Sequence, residues 1–165
     1  MRSDTVVSFR QASMEDLTGL FPIIREFYQY FGFVWDDDAK KALLRRIIGD
    51  PKLGRIWLAE SEAGFAGYAL VAFYFSLEFD GLAALLDELY VSPRYRGRGV
   101  GEQLLTETSR ALVDQGARVL RLEVDRRYPS AAKLYARLGF VPDGRETWTK
   151  RLPSPPFFTA RPTSK

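Results

Sequence analysis

Residues 94–101 read Arg-Tyr-Arg-Gly-Arg-Gly-Val-Gly and lie between an apolar run ending at Val91 and a helix-patterned stretch beginning near Val100. This segment constrains the fold more than any other, because it sets a strand-to-helix turn rich in glycine and arginine. Glycine lets the backbone turn sharply and approach a ligand. The first turn of the next helix offers N–H groups with no partner inside the helix, and these, with the positive end of the helix dipole, favour phosphate. Two common phosphate loops do not fit: no Gly-Lys-Ser/Thr follows, and the position that would complete Gly-x-Gly-x-x-Gly from Gly97 is Glu102. What remains is Arg96-x-x-Gly99-x-Gly101. Alone it could equally be a solvated loop, so its surroundings decide.

Composition narrows the class. A chain of 165 residues with 46% hydrophobic and 14% aromatic content can bury one sizeable core. We read one domain over residues 1–152, followed by a proline-rich tail over 153–165. Cysteine and histidine are both absent, which removes disulfides, thiolate chemistry, and the commonest general base and metal ligands. Catalysis is left to carboxylates, tyrosine, arginine, lysine or backbone, and no metal is expected. No apolar stretch approaches a membrane span and the opening MRSDTVVSFR lacks a signal-peptide core, which predicts a cytoplasmic protein with no membrane partner. The net charge of +3 suits an anionic ligand, whereas nucleic acid calls for a larger, clustered excess; no nucleic-acid partner is expected.

Along the chain, Val6 to Arg10 reads as a short strand and Ser13, with Asp16 three residues on, as a helix cap. Apolar residues at helical spacing continue to Tyr30, with Pro22 expected to kink or divide that helix. A second helix is expected from Asp36 to Ile48. Strands are predicted over Arg55 to Ser61, Phe65 to Phe79 and Leu82 to Val91, joined by turn signals at Glu62 to Gly64 and Asp80-Gly81. The period then switches: helix from Gly99 to Gln115, strand from Ala117 to Asp125, helix from Pro129 to Leu138, and a last pair of strands over Phe140 to Pro142 and Thr147 to Leu152.

The stretch from Leu86 to Phe140 contains LDELYVSPRYRGRGVGEQLL, LRLEVDRR and SAAKLYARLGF. A strand ending in Leu-x-Val-x-Pro, the Arg-x-x-Gly-x-Gly loop, and Ala-x-x-Leu-Tyr-x-x-x-Gly-Phe after the next strand resemble the GCN5-related N-acetyltransferase superfamily over about a third of the chain. The resemblance implies a mixed α/β fold with a strongly twisted sheet of six to seven strands and about four helices, in which two parallel strands splay to hold the cofactor. It implies acetyl-CoA as co-substrate and acetyl transfer to a primary amine. The pyrophosphate would lie on the backbone of Arg96, Gly97, Arg98, Gly99, Val100 and Gly101. Leu89, Tyr90 and Val91 would hold the pantetheine arm. Many members carry Asn three residues before the alanine of the last motif; here Tyr128 stands there, ahead of Ala131, and the usual contact to the cofactor arm is in question.

Chemistry adds requirements. A primary alkylamine with a pKa of about 10.4 has about one molecule in two thousand unprotonated at pH 7, and restoring the lone pair costs about 4.6 kcal/mol. Without histidine, a carboxylate, directly or through water, is the available proton acceptor. Asp87 and Glu88 are the candidates. Strict alternation along a strand sends them to opposite faces, so that only one can face the cleft. Asp87 matches the base position of polyamine and some aminoglycoside members of the superfamily; Glu88 stays in consideration, while Glu123 is read chiefly as a partner for a neighbouring arginine. The departing thiolate needs a proton or hydrogen bond, and Tyr135 matches the family's general acid, although its helix face would also suit a core tyrosine.

For the acceptor, Tyr28, Phe31, Trp35, Tyr74 and Glu78 offer aromatic walls and a carboxylate suited to a small cationic amine, polyamine-like or aminoglycoside-like. Protein lysine or N-terminal acetylation is the second reading, and a non-catalytic acyl-CoA sensor is the alternative of another class. The reading admits a homodimer.

Overall fold

The computed structural model describes residues 7–153, and the proline-rich tail lies outside the described residues apart from Pro153. The elements are β1 (Ser8–Gln11), a 3-10 turn (Met14–Asp16), α1 (Leu17–Phe31), α2 (Asp37–Gly49), β2 (Gly54–Ser61), β3 (Gly64–Ser76), β4 (Gly81–Val91), a second 3-10 turn (Pro93–Tyr95), α3 (Val100–Asp114), β5 (Val119–Leu122) and α4 (Pro129–Arg137). The strands form one sheet in sequence order. Neighbours are antiparallel except β4 and β5, which run parallel across α3. The switch from hairpin turns to helical crossovers in the sequence foretells this mixed sheet.

Two cores sandwich the sheet. On one face, Ala69, Val71, Ala84 and Leu86 pack with Val100, Leu104, Leu105 and Leu112 of α3, and Tyr135 and Leu138 join from α4. On the other, Leu58, Tyr68, Leu70 and Tyr90 pack with Leu20, Ile23, Ile24 and Phe27 of α1 and Leu44 of α2. Both cores use the alternation of strand side chains, one set per face.

The entry to α1 is held by charge. Asp16 accepts hydrogen bonds from the Ser13 backbone N–H at 2.7 Å and from Arg10 at 2.7 and 2.8 Å. The hydrogen bonds from Arg10 hold the Asp16 carboxyl at about 2, below its ordinary 3.8. A carboxyl whose pKa is lowered on folding stabilises the fold above its unfolded pKa, and that contribution fades as pH falls from about 4 towards 2. We expect Asp16→Asn to cost roughly 1 kcal/mol at pH 7, a modest figure because Arg10 is well exposed and screened. Urea unfolding at pH 7 and pH 3 checks this, since the difference between the two proteins should shrink at the lower pH.

Three expectations are corrected. Pro22 does not divide the helix but lies inside Leu17–Phe31, because a single missing N–H is offset by the packing of Leu20, Ile23, Ile24 and Phe27 on both sides of it. The strand expected over Ala117 to Asp125 narrows to Val119–Leu122. The last pair of strands does not form among the described residues, so the sheet there has five strands rather than six or seven. Val141, Trp148 and Leu152 are all largely exposed, so little apolar burial draws the segment onto a sheet edge. Side-chain ion pairs tether it instead: Arg121 to Asp143 at 2.7 Å and Arg145 to Glu78 at 2.6 Å.

Candidate active site

The ladder between β4 and β5 runs only from Ala83 to Leu86. β4 continues to Val91 while β5 ends at Leu122, so from Asp87 onward the β5 side of β4 carries no strand among the described residues. At the same point the pairing with β3 slips: Val71 opposes Leu86 and Leu70 opposes Glu88, leaving Asp87 as the extra residue of a β-bulge.

The bulge overturns the expectation that Asp87 and Glu88 face opposite ways. Before it, Ala84 and Leu86 point to the α3 core; after it, Leu89 and Val91 do. The phase has shifted by one residue, so Asp87 and Glu88 both lie on the α1–α2 side. Their charges are felt by the same groups there, Lys40 and Tyr28.

Glu88 is 9% exposed and fully engaged. Its Oε2 accepts from the Tyr68 hydroxyl at 2.7 Å and its Oε1 from the Tyr28 hydroxyl at 3.0 Å. Lys40 Nζ in turn donates to the Tyr28 oxygen at 3.0 Å and lies 4.1 Å from the centre of its ring. Burial pushes the Glu88 carboxyl up, against the pull of the two tyrosine hydrogen bonds. Asp87 reaches solvent, yet the protein around it displaces enough water to raise its carboxyl as well; the Glu123 charge adds to the rise and Lys40 opposes it. An accessible carboxylate with a raised pKa is suited to accept a proton, whereas Glu88 is suited to hold its two phenols in place.

The glycine loop closes the far end of β4. Gly97 and Gly99 have φ of +70° and +78°, where side-chain-bearing residues are strained, and Gly99 caps α3. A Cβ at either would meet nothing within 4 Å, which leaves their backbone open to a ligand. Val100 is buried and anchors the first turn, whose N–H groups at Val100, Gly101 and Glu102 have no carbonyl one turn below them inside the helix. The loop therefore fits a phosphate group. Arg98 is exposed. Arg96 turns back: its Nε donates to the Val91 carbonyl at 2.8 Å, and its guanidinium lies 4.6 Å from the Tyr30 ring centre and 5.3 Å from that of Tyr90.

β3 fixes where this end of β4 can lie. A Cβ at Gly67 would stand 2.6 Å from the Tyr90 carbonyl oxygen. Gly67→Ala should destabilise the fold by about 1–3 kcal/mol through forced backbone movement, measured by chemical unfolding.

On α4, Tyr135 packs into the α3-side core with its ring centre 5.9 Å from that of Phe140. No hydrogen bond to its hydroxyl occurs among the described residues, and burial raises its pKa. A phenol kept protonated and otherwise unused can act as a proton donor. Ala131 lies in the first turn of the same helix, its N–H donating to the Tyr128 carbonyl at 3.0 Å. Tyr128 stands just before Pro129, and its ring meets Phe31 edge-on at 5.0 Å and Tyr30 at 6.2 Å. It thus joins the loop after β5 to the end of α1.

Of the acceptor candidates, Tyr28 and Trp35 meet at 5.2 Å, and Phe31 reaches the same group through Phe27 and Phe33. Tyr74 and Glu78 are not part of that cluster. Both Glu78 oxygens are taken by Arg145, so Glu78 tethers the C-terminal segment, while Tyr74 lies near Arg121 of β5. Sequence reasoning missed Tyr68 and Lys40. Each is tied to Glu88 or Tyr28 only by strand register and helix packing, which leave no local motif. Among the described residues no cluster of potential metal ligands occurs, and no helix is long and apolar enough to cross a membrane.

A strand that leaves its parallel neighbour, a glycine loop capping a helix at its end, and paired carboxylates at the bulge define an acetyltransferase fold, and residues 19–140 match the Acetyltransferase (GNAT) family. The chain belongs to that family. It is 30% identical over 144 residues to the thialysine N-epsilon-acetyltransferase of Bos taurus, covering 81% of this chain and 83% of that one. It is 24% identical to the N-acetyltransferase YhfO of Bacillus subtilis (strain 168), over 83% of this chain and 91% of that one. An integron cassette protein from the mobile metagenome of Cole Harbour Salt Marsh superposes with a TM-score of 0.80 at 33% identity, covering 89% of this chain and 91% of the other.

Proposed function

We propose that the protein transfers the acetyl group of acetyl-CoA to the primary amine of a small cationic acceptor by direct attack. The observation that supports this reading is the parting of β4 from β5 at Leu86: the bulge turns Asp87 and Glu88 to one side, and the β5-side edge of Leu89 to Val91 has no strand partner among the described residues. Acetyl-CoA, when bound, supplies an activated thioester. The loop from Arg96 to Gly101 would hold its pyrophosphate through backbone N–H groups, and the β5-side edge of Leu89, Tyr90 and Val91 would hold the pantetheine amides, with the Val91 carbonyl shared with Arg96.

Asp87 accepts the proton that the acceptor ammonium must lose, and Tyr135 donates to the sulfur that departs. Glu88 fixes the half-buried Tyr28 hydroxyl beside the acceptor, and the buried Tyr68 hydroxyl holds Glu88 in turn. The aromatic group of Tyr28, Phe31 and Trp35 offers ring faces to a cation. A small-amine acceptor agrees with the name of the bovine relative.

Thiol release from acetyl-CoA, followed with a panel of diamines, polyamines, diamino acids and aminoglycosides, tests the proposal. Amine-dependent release with the acetylated amine found by mass spectrometry is the expected result. Tight acetyl-CoA binding with no amine-dependent release would instead mark a sensor. For the loop, Gly99→Ala should weaken acetyl-CoA binding about tenfold, since a left-handed residue other than glycine costs about 1–2 kcal/mol; calorimetry reads this directly.

A further inference from the structure

We propose that Lys40 is a specificity-determining residue, an internal cation that selects acceptors carrying one net positive charge, such as diamino acids, over polyamines. This rests on the acetyltransferase reading of the same site. The bulge brings two carboxylates, Asp87 and Glu88, to one side of β4. Left alone, that pair would suit a ligand with two or more ammonium groups. Lys40 is already there: its Nζ is 3.0 Å from the Tyr28 oxygen, which donates to Glu88 at 3.0 Å, and it lies 4.1 Å from the centre of the Tyr28 ring. It therefore occupies an aromatic face and a carboxylate relay that a second substrate ammonium would otherwise use.

Lys40 cancels one of the anionic charges that Asp87, Glu88 and the neighbouring Glu123 present. A diamino acid, whose carboxylate cancels one of its two ammonium groups and is itself attracted to Lys40, suits that reduced charge. A polyamine brings further cations into repulsion with Lys40. Lys40 also pulls both carboxylates towards ionisation, against their desolvation. Its place is set by the second turn of α2, a helix capped by Asp36 through a 2.8 Å bond from the Ala39 N–H. The side chain is half-buried and spans no core, so its replacement leaves both cores intact.

The test compares wild type, Lys40→Gln and Lys40→Arg. Acetyl-CoA-dependent thiol release is measured with L-lysine and with spermidine, together with acetyl-CoA affinity and thermal midpoint. The wild type should favour lysine in kcat/KM. Lys40→Gln should raise the spermidine-to-lysine ratio by about tenfold or more, equivalent to about 1.4 kcal/mol, with acetyl-CoA affinity unchanged, and Lys40→Arg should keep the wild-type ratio. A ratio that stays within about twofold of wild type in Lys40→Gln, including a uniform fall for both acceptors, overturns the proposal, as does a wild type that already prefers spermidine. Absence of thiol release with every amine counts against the acetyltransferase reading. The same ratio is then read from equilibrium binding of spermidine and lysine, so the two failures remain separable.

Discussion

Asp87→Asn is expected to lower kcat/KM for the amine by about 10²- to 10⁴-fold at pH 7 while leaving acetyl-CoA affinity unchanged. In the proposed reaction the acceptor arrives as an ammonium ion, and Asp87 is the carboxylate at the bulge that remains open to solvent. Asparagine keeps the size and the bulge but cannot take the proton. The deficit should narrow as pH rises towards the amine pKa of about 10.4, where free amine is supplied by solution. The wild-type profile should also show an acidic limb. Desolvation raises both Asp87 and Glu88, so activity should be lost on acidification at a pH above the ordinary carboxylate range. The two groups interact, and the limb belongs to the pair. A wild-type profile without that limb, or an Asp87→Asn enzyme within threefold of wild type, would remove Asp87 as the base.

Tyr135→Phe should lower kcat by about 10²-fold or more with little change in acetyl-CoA affinity or thermal midpoint. Phenylalanine preserves the packing against the α3-side core and Phe140, and only the hydroxyl is lost. That hydroxyl makes no hydrogen bond among the described residues, so its removal leaves no buried partner stranded. A purely structural tyrosine would give the opposite outcome, full turnover with a lowered midpoint. Single-turnover measurement of thiol release separates the chemical step from product release, since only the former should slow.

The elements around the loop were legible because each carries its own local signal. α3 begins one residue after Gly99, where glycine is needed for a left-handed cap, and α4 begins at Pro129, which is suited to a first helical position. The hairpin from β3 to β4 was marked by Asp80-Gly81, both with positive φ. The substrate side was less legible. The slip between Leu70 and Val71 cannot be read along β4 alone, because a bulge is a property of two paired strands; strict alternation therefore misdirected one of the two carboxylates. Tyr68 and Lys40 meet Glu88 and Tyr28 across 20 and 12 positions of sequence. The strands expected over Phe140 to Pro142 and Thr147 to Leu152 failed for a related reason: Val141, Trp148 and Leu152 stay largely exposed, so little apolar burial holds them on a sheet edge.

Tyr128 also changes how the two halves of the cleft are joined. Where the superfamily resemblance leads one to expect a short amide, this chain presents a ring that spans from the loop after β5 to Phe31 at the end of α1. The helix that shapes the acceptor side and the loop that leads to the Tyr135 helix thus share one hydrophobic clasp. In the proposed reaction, acceptor recognition and thiolate protonation are then mechanically linked, and shortening that ring should register at both ends.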